Sequence, residues 1–201
     1  MTAHIHTLLA LGDSYTIGEG VPLYHSFPYQ LVQILRKQGY NFHAPEIVAQ
    51  TGWTTTELAG HLIHHTLEEH YDFATLLIGV NNQYRGLSLD DFAEDFDFLV
   101  KKAIHLVKGH AQCVMILSVP DWGASPFAKE KDGKDIMEQV GDFNTVSSNI
   151  AFKYDCTYCN ITPGTRKVNA SGFTADGLHY SEKEYGRWAM ELAGKIGKLI
   201  A

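Results

Sequence analysis

Hydrophobic residues follow two alternating patterns along this chain. Short, nearly unbroken apolar runs recur at Ile5–Leu11, Phe73–Val80 and Cys113–Val119, with weaker ones at Ile47–Ala49 and Cys156–Ile161. An apolar run without polar interruption is the pattern of a strand covered on both faces. Between these runs, apolar residues return every three or four positions. The stretch "SFPYQLVQILRKQG" has that spacing and ends at Gly39, a natural helix stop. Thr54-x-x-Glu57 reads as a capping box ahead of "LAGHLIHHTLEE". Ser88-x-x-Asp91 opens a long amphipathic segment to about Lys108, and Ile136–Tyr154 forms another. Ser181-x-x-Glu184 opens a last helix that runs to the C-terminus.

Strands alternating with helices of this length imply right-handed crossovers and a parallel sheet. The expected fold is α/β: a three-layer α/β/α, flavodoxin-like, doubly wound parallel sheet of about five strands. The 201 residues fit one domain spanning 1–201. In such a sheet, ligands bind outside the carboxyl ends of the strands, so chemistry is sought on the loops that follow them.

Composition narrows the function classes. Hydrophobic residues are 45% and charged residues 19%, ordinary for a globular protein. The net charge of −7 speaks against nucleic acid and anionic membrane surfaces as partners. No apolar run is long enough to span a bilayer. The start, "MTAHIHTLLALG", has no basic region or small-residue cleavage site, so the expected location is cytoplasmic. Cys113, Cys156 and Cys159 make no disulfide framework. Cys156-x-x-Cys159 sits in a strand-like segment with no second ligand pair, so both cysteines read as small buried hydrophobes. His61, His64, His65 and His70 fall at near-helical spacing, but the polar setting with Glu68 and Glu69 suggests a solvated face and no metal site.

The loops after the strands carry the candidate chemistry. Gly12-Asp13-Ser14 follows the first strand, Gln50-Thr51-Gly52-Trp53 the second and Gly79-Val80-Asn81-Asn82 the third. Pro120-Asp121-Trp122-Gly123 follows the fourth, and "ADGLHYS" precedes the last helix. A hydroxyl nucleophile needs a neighbouring base and an orienting carboxylate; Ser14, His179 and Asp176 supply the three types. The N–H groups of Ser14 and Gly52 and the Asn81 amide can meet an oxyanion. Ser14 is also expected at a helix start, where the dipole favours developing negative charge. Asp13 reads as a loop hydrogen-bond acceptor. Tyr15, Trp53, Tyr84 and Trp122, with Phe127, are candidates for a substrate pocket. The segment "SVPDWGASPFA" is long enough to form one wall, in which Asp121 can pair with a cation or cap a turn.

The blocks "ALGDSYTIGEG", "QTGWTTTEL", "LLIGVNNQYRG" and "DGLHYS" together resemble the four signature blocks of the GDSL, or SGNH, hydrolase family. They occur in the family's order, from Gly12 to His179. The resemblance implies a flavodoxin-like fold and ester hydrolysis without a metal or organic cofactor. It matches Ser14 to the nucleophile and first oxyanion donor, Gly52 and Asn81 to the other donors, and Asp176 and His179 to the acid and base. One departure stands out: the family's usual Gly-x-Asn-Asp is here Gly79-Val80-Asn81-Asn82. The expected activity is hydrolysis of small carboxylic esters with short acyl groups, acetylated carbohydrate among them. Lipase, thioesterase or acyltransferase chemistry at the same site, and a non-catalytic binding domain of the same fold, are the alternatives. No Gly-x-Ser-x-Gly elbow and no phosphate-cradling glycine motif is present.

Overall fold

A computed structural model describes residues 4–200. The elements alternate as the apolar pattern predicts. In order they are β1 (Leu8–Gly12), α1 (Ser14–Ile17), α2 (Phe27–Lys37), β2 (Glu46–Ala49), α3 (Thr55–His64), β3 (Phe73–Leu77), α4 (Val80–Tyr84) and α5 (Leu89–Leu106). Then follow β4 (Val114–Leu117), α6 (Gly133–Lys153), β5 (Thr157–Cys159), α7 (Thr162–Thr165) and α8 (Glu182–Ile200). The five strands form one parallel sheet in the order β2-β1-β3-β4-β5. This is the flavodoxin-like order, with the chain reversing direction across the sheet between β1 and β3.

Successive strand residues point to opposite faces, and both faces are covered. Leu8, Phe73, Leu77, Met115 and Leu117 pack with α2 and α8, around Phe27, Leu31 and Trp188. Leu9, Leu11, Ala74, Leu76, Val114 and Ile116 pack with α3, α5 and α6, around Leu58, Phe92 and Phe143. Two apolar layers explain why these strands read as unbroken apolar runs. Among the described residues, no helix is long and apolar enough to cross a membrane.

Element limits differ from the sequence expectation for local reasons. β1 starts at Leu8, not Ile5, because the Asp72 carboxylate takes the Thr7 N–H at 2.8 Å and replaces a ladder acceptor. Ile5 is exposed. α3 ends at His64, short of Glu69, where His65 turns extended and the chain crosses to β3. Its capping box is present: Thr54 accepts from the Glu57 N–H and the Glu57 carboxylate accepts from the Thr54 N–H. α6 begins at Gly133, earlier than Ile136, because the Asp132 carboxylate accepts from the Lys134 and Asp135 N–H groups. Cys156 and Cys159 are buried free thiols, and burial pushes each up to about 12.

Candidate active site

β1 runs into α1 without room for a side chain at Gly12: a Cβ there would stand 2.1 Å from Thr16 Oγ1 and 2.3 Å from the Leu77 carbonyl. Asp13 caps α1, its Oδ1 accepting from the Tyr15 N–H at 3.0 Å. Ser14 is therefore the first residue of the helix, where a backbone N–H has no intrahelical acceptor. α1 has four residues, so this free N–H matters more here than a macrodipole.

A tight turn brings the partners from the far end of the chain. Asp176 Oδ1 accepts from the N–H groups of Leu178 and His179 and from the Thr174 hydroxyl. Its Oδ2 faces His179 Nδ1 at 2.6 Å, and His179 Nε2 faces Ser14 Oγ at 2.9 Å. With Nδ1 donating to Asp176, Nε2 presents its lone pair to the serine hydroxyl. Partial burial acts to raise the Asp176 carboxyl. Hydrogen bonds from the His179 ring, the two backbone N–H groups and Thr174 outweigh it and hold the carboxyl well below the usual range. Ser14 and His179 are buried.

The remaining predicted groups come from the loops after β2 and β3. Gly52 has φ +83°, a conformation that L side chains rarely adopt. Its carbonyl accepts from Arg85 Nη2, and its N–H makes no hydrogen bond among the described residues. Asn81 donates through Nδ2 to the Trp53 carbonyl at 2.9 Å, which ties the third loop to the second. Ser14, His179 and Asn81 line one cavity of about 160 Å³, while Gly52 is not part of its lining. Tyr15, Tyr84, Trp122 and Phe127 also line it. Trp53 does not: its ring lies 4.8 Å from that of His61. Asp121, left open in the sequence between a cation partner and a turn cap, is both: Arg166 Nε donates to it at 2.7 Å and so does the Gly123 N–H.

Other residues at the site carry no signal in the sequence. Glu19 Oε2 lies 3.8 Å from His179 Nε2 and accepts from the Thr51 hydroxyl. Gln83 accepts from Trp122 Nε1 at 2.6 Å and holds that ring against the cavity. Thr174 has been met as a support of Asp176. Glu19 and Gln83 are common polar residues whose roles depend on partners distant in the chain.

The sequence model of the GDSL-like lipase/acylhydrolase family matches residues 10–187. The chain belongs to this family. Family membership makes it a carboxylic ester hydrolase. No curated protein matches its sequence significantly. Solved structures share its fold at low identity. The crystal structure of TesA superposes with a TM-score of 0.77 at 18% identity, covering 96% of this chain and 99% of that one. Axe2, an acetylxylan esterase from Geobacillus stearothermophilus, gives 0.76 at 16% identity over 97% and 95% of the two chains. A lipase/acylhydrolase from Enterococcus faecalis gives 0.71 at 18% identity over 96% of each.

Within the family pattern, the departure at Asn82 has a local explanation. The side chain is buried; its Oδ1 accepts from the Thr55 N–H at 3.1 Å and its Nδ2 donates to Thr55 Oγ1 at 2.7 Å. The Thr55 hydroxyl in turn donates to Asp95 Oδ2 at 3.2 Å. An amide at 82 is therefore matched by a carboxylate on α5, beyond the threonine.

Proposed function

We propose that this acylhydrolase cleaves small carboxylic esters with short acyl groups through a serine acyl-enzyme, acetylated carbohydrate being the favoured natural class. The observation that carries this reading is the chain of contacts Asp176–His179–Ser14, opening on a small, largely apolar cavity of about 160 Å³.

In this reading Ser14 Oγ attacks the ester carbonyl carbon while His179 Nε2 takes the hydroxyl proton. Asp176 holds the imidazole by its Nδ1–H and stabilises the imidazolium. The Ser14 and Gly52 N–H groups and the Asn81 amide receive the oxyanion, one such donor being worth about 3 kcal/mol. His179 then gives its proton to the leaving alcohol, and the acyl group stays on Ser14. Water, deprotonated by His179, attacks the acyl-enzyme and releases the acid. The acyl portion sits among Val80, Trp122 and Leu178, where there is space for a few carbons. Glu19, close to His179, opposes negatively charged substrates. The acetylxylan esterase among the fold relatives supports the carbohydrate-ester class.

The test is hydrolysis of p-nitrophenyl esters from acetate to decanoate, with Ser14→Ala alongside. The expected result is best turnover at acetate to butyrate, and a loss of at least about a thousandfold in kcat for Ser14→Ala with an unchanged fold. Undiminished hydrolysis by the variant would sink the nucleophile assignment. An optimum at eight carbons or beyond would overturn the short-acyl reading.

A further inference from the structure

A wider cleft, about 650 Å³, lies at the amino end of the sheet, opposite the Ser14 edge. His4, His6 and Asp72 stand on its wall, and one ligand-type atom from each falls within 4.8 Å of the other two. His4 and His6 are two positions apart in extended chain, so their rings share a face. Asp72 reaches them from the start of β3. His4 Nε2 lies 2.8 Å from Asp72 Oδ1, and His6 Nδ1 lies 3.9 Å from the same oxygen. The other carboxylate oxygen is held by Thr7, through its N–H at 2.8 Å and its hydroxyl at 3.1 Å. That brace aims Oδ1 at the two imidazoles, the supporting arrangement typical of a metal-binding carboxylate.

A histidine–aspartate pair accounts for His4 but leaves His6 unexplained. His6 Nδ1 is buried and has no hydrogen-bond partner. The Asp72 oxygen at 3.9 Å is too far for a direct hydrogen bond. It is at a distance that a cation can bridge. Zinc binds nitrogen and oxygen at about 2.0–2.2 Å in a tetrahedron, which puts donor atoms roughly 3.3–3.5 Å apart. The observed 2.8 and 3.9 Å straddle that spacing, and the exposed His4 ring is free to adjust. Two imidazoles and one carboxylate suit zinc over magnesium or calcium, which prefer all-oxygen shells.

We infer that His4, His6 and Asp72 form a binding site for a divalent transition cation, zinc above all, that staples the segment before β1 to the start of β3. The site is remote from Ser14 and takes no part in ester chemistry. His70, His110 and Cys113 line the same cleft and are candidates for a further ligand besides water.

The test is calorimetric titration of the tag-free full chain with zinc chloride in a non-chelating buffer at neutral pH. Wild type, His4→Ala, His6→Ala and the double His4→Ala/His6→Ala variant are compared, with magnesium chloride as control. His4→Ala is included because an exposed ring can be removed without loss of fold. The expected result is one equivalent of zinc bound by wild type, with at least about tenfold weaker binding in each single variant. Thermal unfolding of wild type, and not of the double variant, moves up with zinc. No zinc uptake, uptake unchanged in the double variant, or equal binding of magnesium would overturn the proposal.

Discussion

Asp13 shows how one residue at the site acts on the stability of the whole chain. Its carboxyl is buried, and Oδ2 has no hydrogen-bond partner. Burial pushes it up to about 7, against the hydrogen bond from the Tyr15 N–H, and the charge of Glu19 adds to the rise. The folded chain thus holds this proton more tightly than the unfolded chain, whose carboxyl titrates near 3.8. Raising the pH from about 4 to about 7 therefore removes stability, on the order of a few kcal/mol from this group. Asp176 acts in the opposite sense: its carboxyl is depressed, so its contribution is present above the ordinary value and is lost as the pH falls below it. Asp13→Asn keeps an acceptor for the Tyr15 N–H and removes the titration. Urea unfolding at pH 5 and pH 8 is expected to show a smaller loss between the two for the variant than for wild type. Equal slopes would show that Asp13 is ionised without penalty in the folded chain.

At the scale of elements, Asn82 joins α3 and α4. Its amide satisfies the buried Thr55 N–H and holds the Thr55 hydroxyl, next to the loops that carry Gly52 and Asn81. Asn82→Ala leaves that N–H without an acceptor and is expected to cost about 2 kcal/mol. Asn82→Asp retains the acceptor. The Thr55 hydroxyl can turn its proton to the new carboxylate, and Asp95 keeps the Thr56 hydroxyl. Denaturant midpoints at neutral pH are expected to rank wild type first, Asn82→Asp next and Asn82→Ala last; a reversed order of the two variants would rule out the acceptor as the main contribution. The relay Asn82–Thr55–Asp95 could not be read from the sequence. Nothing in the spacing of Asn82 and Asp95 indicates that both meet one threonine.

At the scale of the whole molecule, the size of the cavity beside Ser14 follows from where the β4–α6 segment crosses the sheet edge. Trp122 and Phe127 close one wall, and the Phe127 N–H donates to the Gly177 carbonyl, which seats this segment on the Asp176–His179 turn. Phe127 is partly exposed, so Phe127→Ala opens the cavity outward at small cost in stability. The ratio of kcat/KM for hexanoate over acetate is expected to rise severalfold, with acetate turnover little changed. An unaltered ratio would place the acyl group elsewhere. Much of the molecule was legible beforehand. β1, β3 and β4 read as unbroken apolar runs because they are buried on two faces, whereas the edge strands β2 and β5 are only half-buried and left weaker runs. The blocks holding Ser14, Gly52, Asn81, Asp176 and His179 could be picked out because each follows a strand end or precedes the last helix and carries a narrow choice of polar residue type. Trp53 was readable only as an aromatic near a strand end, and packing sent it to His61. Tertiary structure alone decided Glu19 against His179, the Asn82 relay and the meeting of His4, His6 and Asp72. Each of those depends on distances between segments far apart in the chain, which local periodicity and side-chain chemistry do not encode.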